Sequence, residues 1–140
     1  MWRAAVAVGA VCSSLACSGA PTSASTSLIG AWGGDHISLT VNAAGSHAEF
    51  DCAHGDTPSP FTIDDHNAFN VSGTFVREHG GPIRVGDVPD SHPAVYFGSV
   101  TANTMALTVE LTDTKEVIGM FTLVRDTPGR VLKCLLPLSQ

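Results

Sequence analysis

Six histidines, at positions 36, 47, 54, 66, 79 and 92, together with Cys52 and Cys134, are the side chains with which this sequence could bind a metal or move a proton. A metal site built on strands needs ligands at alternate positions or on adjacent strands, and Cys52 with His54 has that spacing. With Cys134 they could hold zinc. The competing reading, favoured by the cysteine count below, joins the two thiols as a cystine and leaves His54 as a turn residue before Gly55. His47, Glu49 and Asp51 also alternate, on a face that reads as solvated surface. Asp64 and Asp65 are adjacent in a turn, where carboxylates usually point apart and cap backbone amides. No Gly-X-Ser-X-Gly, His-Glu-X-X-His or Gly-X-X-X-X-Gly-Lys-Ser/Thr pattern occurs, so no recognised nucleophile, zinc-protease or phosphate-loop motif is present. The chain is therefore expected to have no catalytic residues, no metal and no cofactor. A small metal-dependent or His/carboxylate enzyme using His54, His79 or His92 is the rival.

The amino terminus supplies the address. Arg3 precedes an uncharged run, Ala4 to Val11, and then Cys12-Ser-Ser-Leu-Ala-Cys17. The run is too short to span a bilayer, which needs about 20 residues. Small residues at Ser14 and Ala16 suit cleavage between Ala16 and Cys17, making residues 1–16 a signal peptide. A cysteine just after that cut, followed by the Ser/Thr-rich stretch Ser18 to Ser27, resembles a bacterial lipoprotein. The family pattern has Leu three positions before the cysteine and a small residue two before it; here these are Ser14 and Leu15. The resemblance implies lipidation at Cys17, a flexible tether over 17–27 and a membrane anchor in the cell envelope, with plain periplasmic or secreted export as the alternative. Cys12 leaves with the signal, so Cys52 and Cys134 are the only pair left in the body. In an oxidising compartment they are expected to form a disulfide. Closing a loop of roughly 80 residues would contribute at most about 4.5 kcal/mol on the chain-entropy account.

From Leu28 onward the period is two. Ile37, Leu39 and Val41 alternate with Ser38, Thr40 and Asn42, and across Ala44-Gly45 the return run sets Ala48, Phe50 and Cys52 against His47, Glu49 and Asp51. Further strands are expected at Phe61–Ile63, through Phe69 to Phe75, at 94–101 and 104–112 across Ala102-Asn103, over 117–125, and in a last run carrying Leu132, Cys134 and Leu136. The stretch His79 to His92, with its Gly and Pro residues, is the long loop and the natural place for a binding surface.

Eight sequential strands predict an all-β fold, a single small antiparallel up-and-down barrel, closed or half-open, with one disulfide. The expected organisation is 1–16 signal peptide, 17–27 tether, 28–136 barrel and 137–140 tail. The opening Gly30-Ala-Trp32 resembles the Gly-X-Trp that begins the first strand of lipocalins and other calycin barrels. That resemblance implies a Trp plugging one end of a barrel. The cystine constrains this fold: strands two apart lie about 9.5 Å from one another, beyond the reach of about 7 Å that a disulfide allows. Either Cys134 lies where the chain has left the sheet, which Pro137 favours, or the strand order is not sequential.

With 7 Lys+Arg against 13 Asp+Glu and a formal charge of -6, there is no basic stripe to neutralise phosphates, and nucleic acid is not an expected partner. Phe50, Phe61, Phe69 and Phe75 fall in the inward phase and should fill the interior. The strands carrying Tyr96 and Met120 are apolar on both faces, which offers a surface patch. The candidate ligand-binding residues are Trp32, His79 and Tyr96. The expected function is an exported, lipid-anchored envelope protein that binds a small apolar ligand or an envelope protein without catalysis. A structural accessory protein is a further alternative.

Overall fold

The computed structural model describes residues 26–134. Ten strands follow one another: β1 (Thr26–Ser27), β2 (Gly30–Gly34), β3 (Ile37–Asn42), β4 (Gly45–Phe50), β5 (Ala53–Thr57), β6 (Thr62–Ile63), β7 (Ala68–Arg77), β8 (Asp90–Thr101), β9 (Thr104–Leu111) and β10 (Val117–Arg125). Eight of them close into an antiparallel barrel in the order β10-β2-β3-β4-β5-β7-β8-β9, while β1 and β6 pair with each other. The meander comes from alternation and tight turns. Ile37, Leu39 and Val41 point inward opposite Phe50, Ala48 and Ser46. The β8–β9 hairpin turns at Ala102, whose φ of 53° serves the two-residue connection. Met105, Leu107, Val109 and Leu111 form the buried face of β9.

Successive turns alternate between the two ends of the barrel. At one end, Leu28 N–H donates to the Phe61 carbonyl at 2.9 Å, and the β1–β6 pair brings Phe61 over the interior. Phe61 is fully buried against Phe69 and Tyr96, with ring centroids 5.1 and 6.1 Å away. Trp32 plugs the same region: it is fully buried, its Nε1 donates to the Leu28 carbonyl at 3.0 Å, and the Arg125 guanidinium lies 4.4 Å from its ring centroid. Nearer the opposite end, Phe50 packs on Phe75 and Phe121 at 5.3 and 5.4 Å. The four phenylalanines expected inside, at 50, 61, 69 and 75, are all buried there.

Eight barrel strands were expected and eight occur, but two differ in identity. Phe61–Ile63 lies outside the barrel, and the run at 131–134 is not a strand. After Arg125 the chain leaves the sheet and returns along the outside of β2, with an isolated parallel bridge from Arg130 to Asp35, the residue after that strand. Arg130 N–H donates to the Gly34 carbonyl at 2.9 Å and the Arg130 carbonyl accepts from His36 N–H at 2.7 Å. This strap lies so close that a Cβ at Gly33 would overlap the Thr127 carbonyl. The strand places are taken by β2 and by β5. Strand β5 has no apolar alternation because its inward residues, Ala53, Gly55 and Thr57, are small; the Tyr96 hydroxyl occupies the space a larger side chain at 55 would need. His54 is thus a strand residue and not the turn residue expected. The strap carries Cys134 to the β4–β5 turn, where it forms a disulfide with Cys52, so the barrel keeps its sequential strand order.

Candidate functional site

The loop between β7 and β8, residues 78–89, stands at the barrel end opposite Trp32. It is rooted on a long hairpin, paired from Ala68 with Ser99 to Arg77 with Asp90. At its tip Asp87 N–H donates to the Arg84 carbonyl at 3.1 Å, and Arg84 N–H donates to the Asp87 carboxylate at 2.7 Å. Gly86 completes this turn with φ of 97°, a conformation that favours glycine at the third position of a four-residue turn. The turn lifts Val85 clear of the protein, 109% exposed, with Ile83 and Val88 beside it at 87% and 89%. Pro82 and Pro89 restrict the backbone on either side.

Charged side chains brace the stem on both sides. On the β5 side, Glu78 N–H donates to the Cys52 carbonyl at 2.8 Å, and the His54 imidazole Nδ1 meets the Glu78 carboxylate at 2.7 Å. Lys133, on the strap, donates to both Glu78 oxygens at 3.3 Å and to the Ala53 carbonyl at 3.1 Å, and also contacts Glu49. Glu49 in turn meets His47 Nε2 at 2.8 Å, and His47 Nδ1 meets Asp56 at 2.6 Å. Burial alone would raise the Glu49 and Glu78 carboxyls, but Lys133 with His47, and His54 with Lys133, outweigh it and hold both below the ordinary glutamate value. Hydrogen bonds to Asp56 and then Glu49 push His47 up. On the other side, Arg77 donates to Glu116 at 2.7 Å and lies near Asp90, while His92 is held by Asp113 at 2.7 Å and Asp90 at 2.9 Å. His92 is raised, chiefly by Asp113.

Between the loop and the outer surface of β5 and β7 lies a hollow of about 260 Å³. Val76, Ile83, Val88 and Pro89 supply its apolar walls, and His54, Glu78, His79 and Asp87 line its polar parts. No lining side chain is a hydroxyl or thiol nucleophile. Among the described residues no group of three His, Cys, Asp or Glu side chains is arranged to hold a metal ion. The hollow offers apolar contact surface with one imidazole–carboxylate pair, His54 with Glu78, at its edge.

The structure does not bring the three candidate ligand residues together. His79 lines the hollow and is exposed. Trp32 is fully buried at the far end, which Leu28 and Phe61 close. Tyr96 is fully buried too: its hydroxyl donates to the Thr74 carbonyl at 2.6 Å, and burial holds the phenol above its ordinary value. Cys52 and Cys134 are joined as expected, which removes both thiols from the zinc arrangement with His54. Cys17 lies outside the described residues. Of the second candidate surface, Met120 and Val124 on β10 are exposed, whereas Tyr96 and Val100 on β8 and Leu123 on β10 are buried.

The bracing residues His54, Arg77, Glu78, Lys133 and Glu116 were missed as a group by reading along the chain. One signal was available. Once β4 and β5 are both strands, His47 falls opposite Asp56 and Glu49 opposite His54, and alternate polar residues on paired strands would have suggested the contacts. Comparison with known proteins gives no match to a family model, to a curated protein or to a solved structure.

Proposed function

We propose that this chain is an exported, lipid-anchored cell-envelope protein that acts as a non-catalytic binding module and engages a protein partner through the 78–89 loop. The observation that carries this reading is the tip itself: Ile83, Val85 and Val88 stand in water on a turn whose stem is pinned by ion pairs. Exposed apolar side chains grouped at one place mark interaction sites more often than scattered ones do. The tip is convex, so the partner must offer a concave apolar pocket, and a pre-braced loop loses less conformational entropy on docking than a slack one. Export is supported by the signal-like residues 1–16 and by the cystine, which persists in oxidising compartments.

A photo-crosslinker at Val85, and another at Thr40 on the outer face of β3, test the docking in cells that export the protein. One discrete protein adduct is expected from position 85 and none from position 40. Val88→Asp should abolish the adduct, and the purified partner should rebind the wild-type chain. No adduct at 85, or equal adducts at both positions, overturns the reading. Intact mass tests the address: a diacylglycerol-modified Cys17 adds the mass of its acyl chains, whereas plain secretion leaves an unmodified Cys17. The hollow beside the loop favours a second reading, a small apolar ligand. Its volume of about 260 Å³ lies just below the range of about 300–1,000 Å³ usual for ligand pockets, so only a small molecule would fit.

A further inference from the structure

We propose that the Cys52–Cys134 cystine is a redox latch on the 78–89 loop, setting the loop in its docking form when oxidised and releasing it when reduced. This names the regulation of the docking site and rests on that reading. Two contacts connect the cystine and its neighbours to the loop. The Cys52 carbonyl accepts the N–H of Glu78, the first residue of the loop, at 2.8 Å. Cys52 adopts φ of 53°, a left-handed conformation uncommon for a side chain of this kind, so the cystine and that hydrogen bond act on one disfavoured turn. Lys133, next to Cys134, touches Glu78 and Glu49 together and so bridges two carboxylates at the loop stem.

Beyond Arg130, among the described residues, the strap is held by side-chain contacts and not by backbone–backbone hydrogen bonds. Residues 126–130 are fixed by backbone hydrogen bonds to Ala31, Gly34 and His36, whereas beyond them Leu132 N–H reaches a side chain, Asp51, at 2.6 Å, and Lys133 makes its side-chain contacts. The cystine is the covalent tie that keeps Lys133 between the two glutamates. Both cysteines are partly exposed residues, and exchange needs access of a thiolate to one sulfur. In reduction, a thiolate of a dithiol donor attacks one cystine sulfur and forms a mixed disulfide, which the donor's second thiol then resolves. The donor loses two electrons and two protons and becomes a disulfide, and Cys52 and Cys134 each gain one of each and become thiols. Formation is the reverse exchange with an oxidised carrier of the same class. Once released, the strap can withdraw Lys133, the Glu49 and Glu78 charges then repel, and the Cys52 turn relaxes away from Glu78.

Amide NMR spectra of the isotope-labelled exported chain, before and after reduction with dithiothreitol, test the latch. Signals of residues 78–88 are expected to shift and their order parameters to fall below about 0.6, while Tyr96 and Val109 in the β8–β9 ladder keep their positions. Lys133→Met with the cystine intact should reproduce part of the loop shift. Loop signals that stay unchanged on reduction overturn the latch, as does a loss of the β8–β9 signals together with those of the loop, which would make the cystine a general staple. Both readouts use the free protein, so their failure leaves the docking reading standing, and a missing adduct at position 85 removes the docking reading without touching the redox response.

Discussion

At the scale of single residues, four of the six histidines are placed with Nδ1 against a carboxylate: His36 with Asp51, His47 with Asp56, His54 with Glu78 and His92 with Asp113. These contacts make stability depend on pH in a definite direction. His47 and His92 are raised above 6.5 in the folded protein, so their contribution is complete below the unfolded value and is lost as pH rises through the folded one. Glu49, Glu78, Asp51 and Asp113 are lowered, so theirs is complete above the unfolded carboxylate values and is lost as pH falls through the folded ones. For Asp51 the leading cause is the Leu132 N–H, and for Asp113 it is His92. The urea midpoint should therefore peak between about pH 4.5 and 6.5. His47→Gln and His92→Gln should flatten the alkaline limb and weaken the acid limb only in the parts owed to Glu49 and Asp113, leaving those owed to Asp51 and Glu78. A midpoint that climbs steadily to pH 8 contradicts this assignment. The alternation of His47, Glu49 and Asp51 was legible in the sequence, but apart from the His47–Glu49 contact their partners come from other strands and turns, so the chemistry of that face was not.

At the scale of elements, the strap that replaces the expected last strand is the largest departure from the pattern. Leu132, Cys134 and Leu136 share a phase that reads as a strand, yet the barrel is already closed by β10 pairing with β2, and no edge remains for another strand to join. The strap instead lies on the outer surface of β2, where Gly33 leaves room for the Thr127 carbonyl. Gly33→Ala forces the two apart and should destabilise the protein by about 1–3 kcal/mol, the usual cost of overpacking. Chemical denaturation measures it; a change close to zero would mean that the strap lifts freely. Strand β5 was hidden for a related reason. Its inward side chains are small because Tyr96 comes across the interior to meet them, and a period of two is invisible when the buried positions hold Ala, Gly and Thr.

At the scale of the whole molecule, the barrel and the cystine are separate devices, since ring closure through β10 and β2 does not depend on Cys134. The Cys52→Ala, Cys134→Ala double variant should still unfold cooperatively, with stability lowered by up to about 4.5 kcal/mol and a reduced Tm in calorimetry. A chain that loses its near-ultraviolet dichroism altogether would show that closure needs the staple. The amino-acid sequence by itself determined the all-β class, six of the eight barrel strands, the inward phase of the phenylalanines and the pairing of Cys52 with Cys134, because alternation and cysteine count are properties of the chain read locally. Which strands fill the eight places, where Cys134 meets Cys52, and how Lys133, Glu78, His54, Arg77 and His92 brace one loop were decided only in the tertiary structure. Those contacts join residues as far apart as Ala53 and Lys133, and ring closure, which no local pattern records, sets which of them meet.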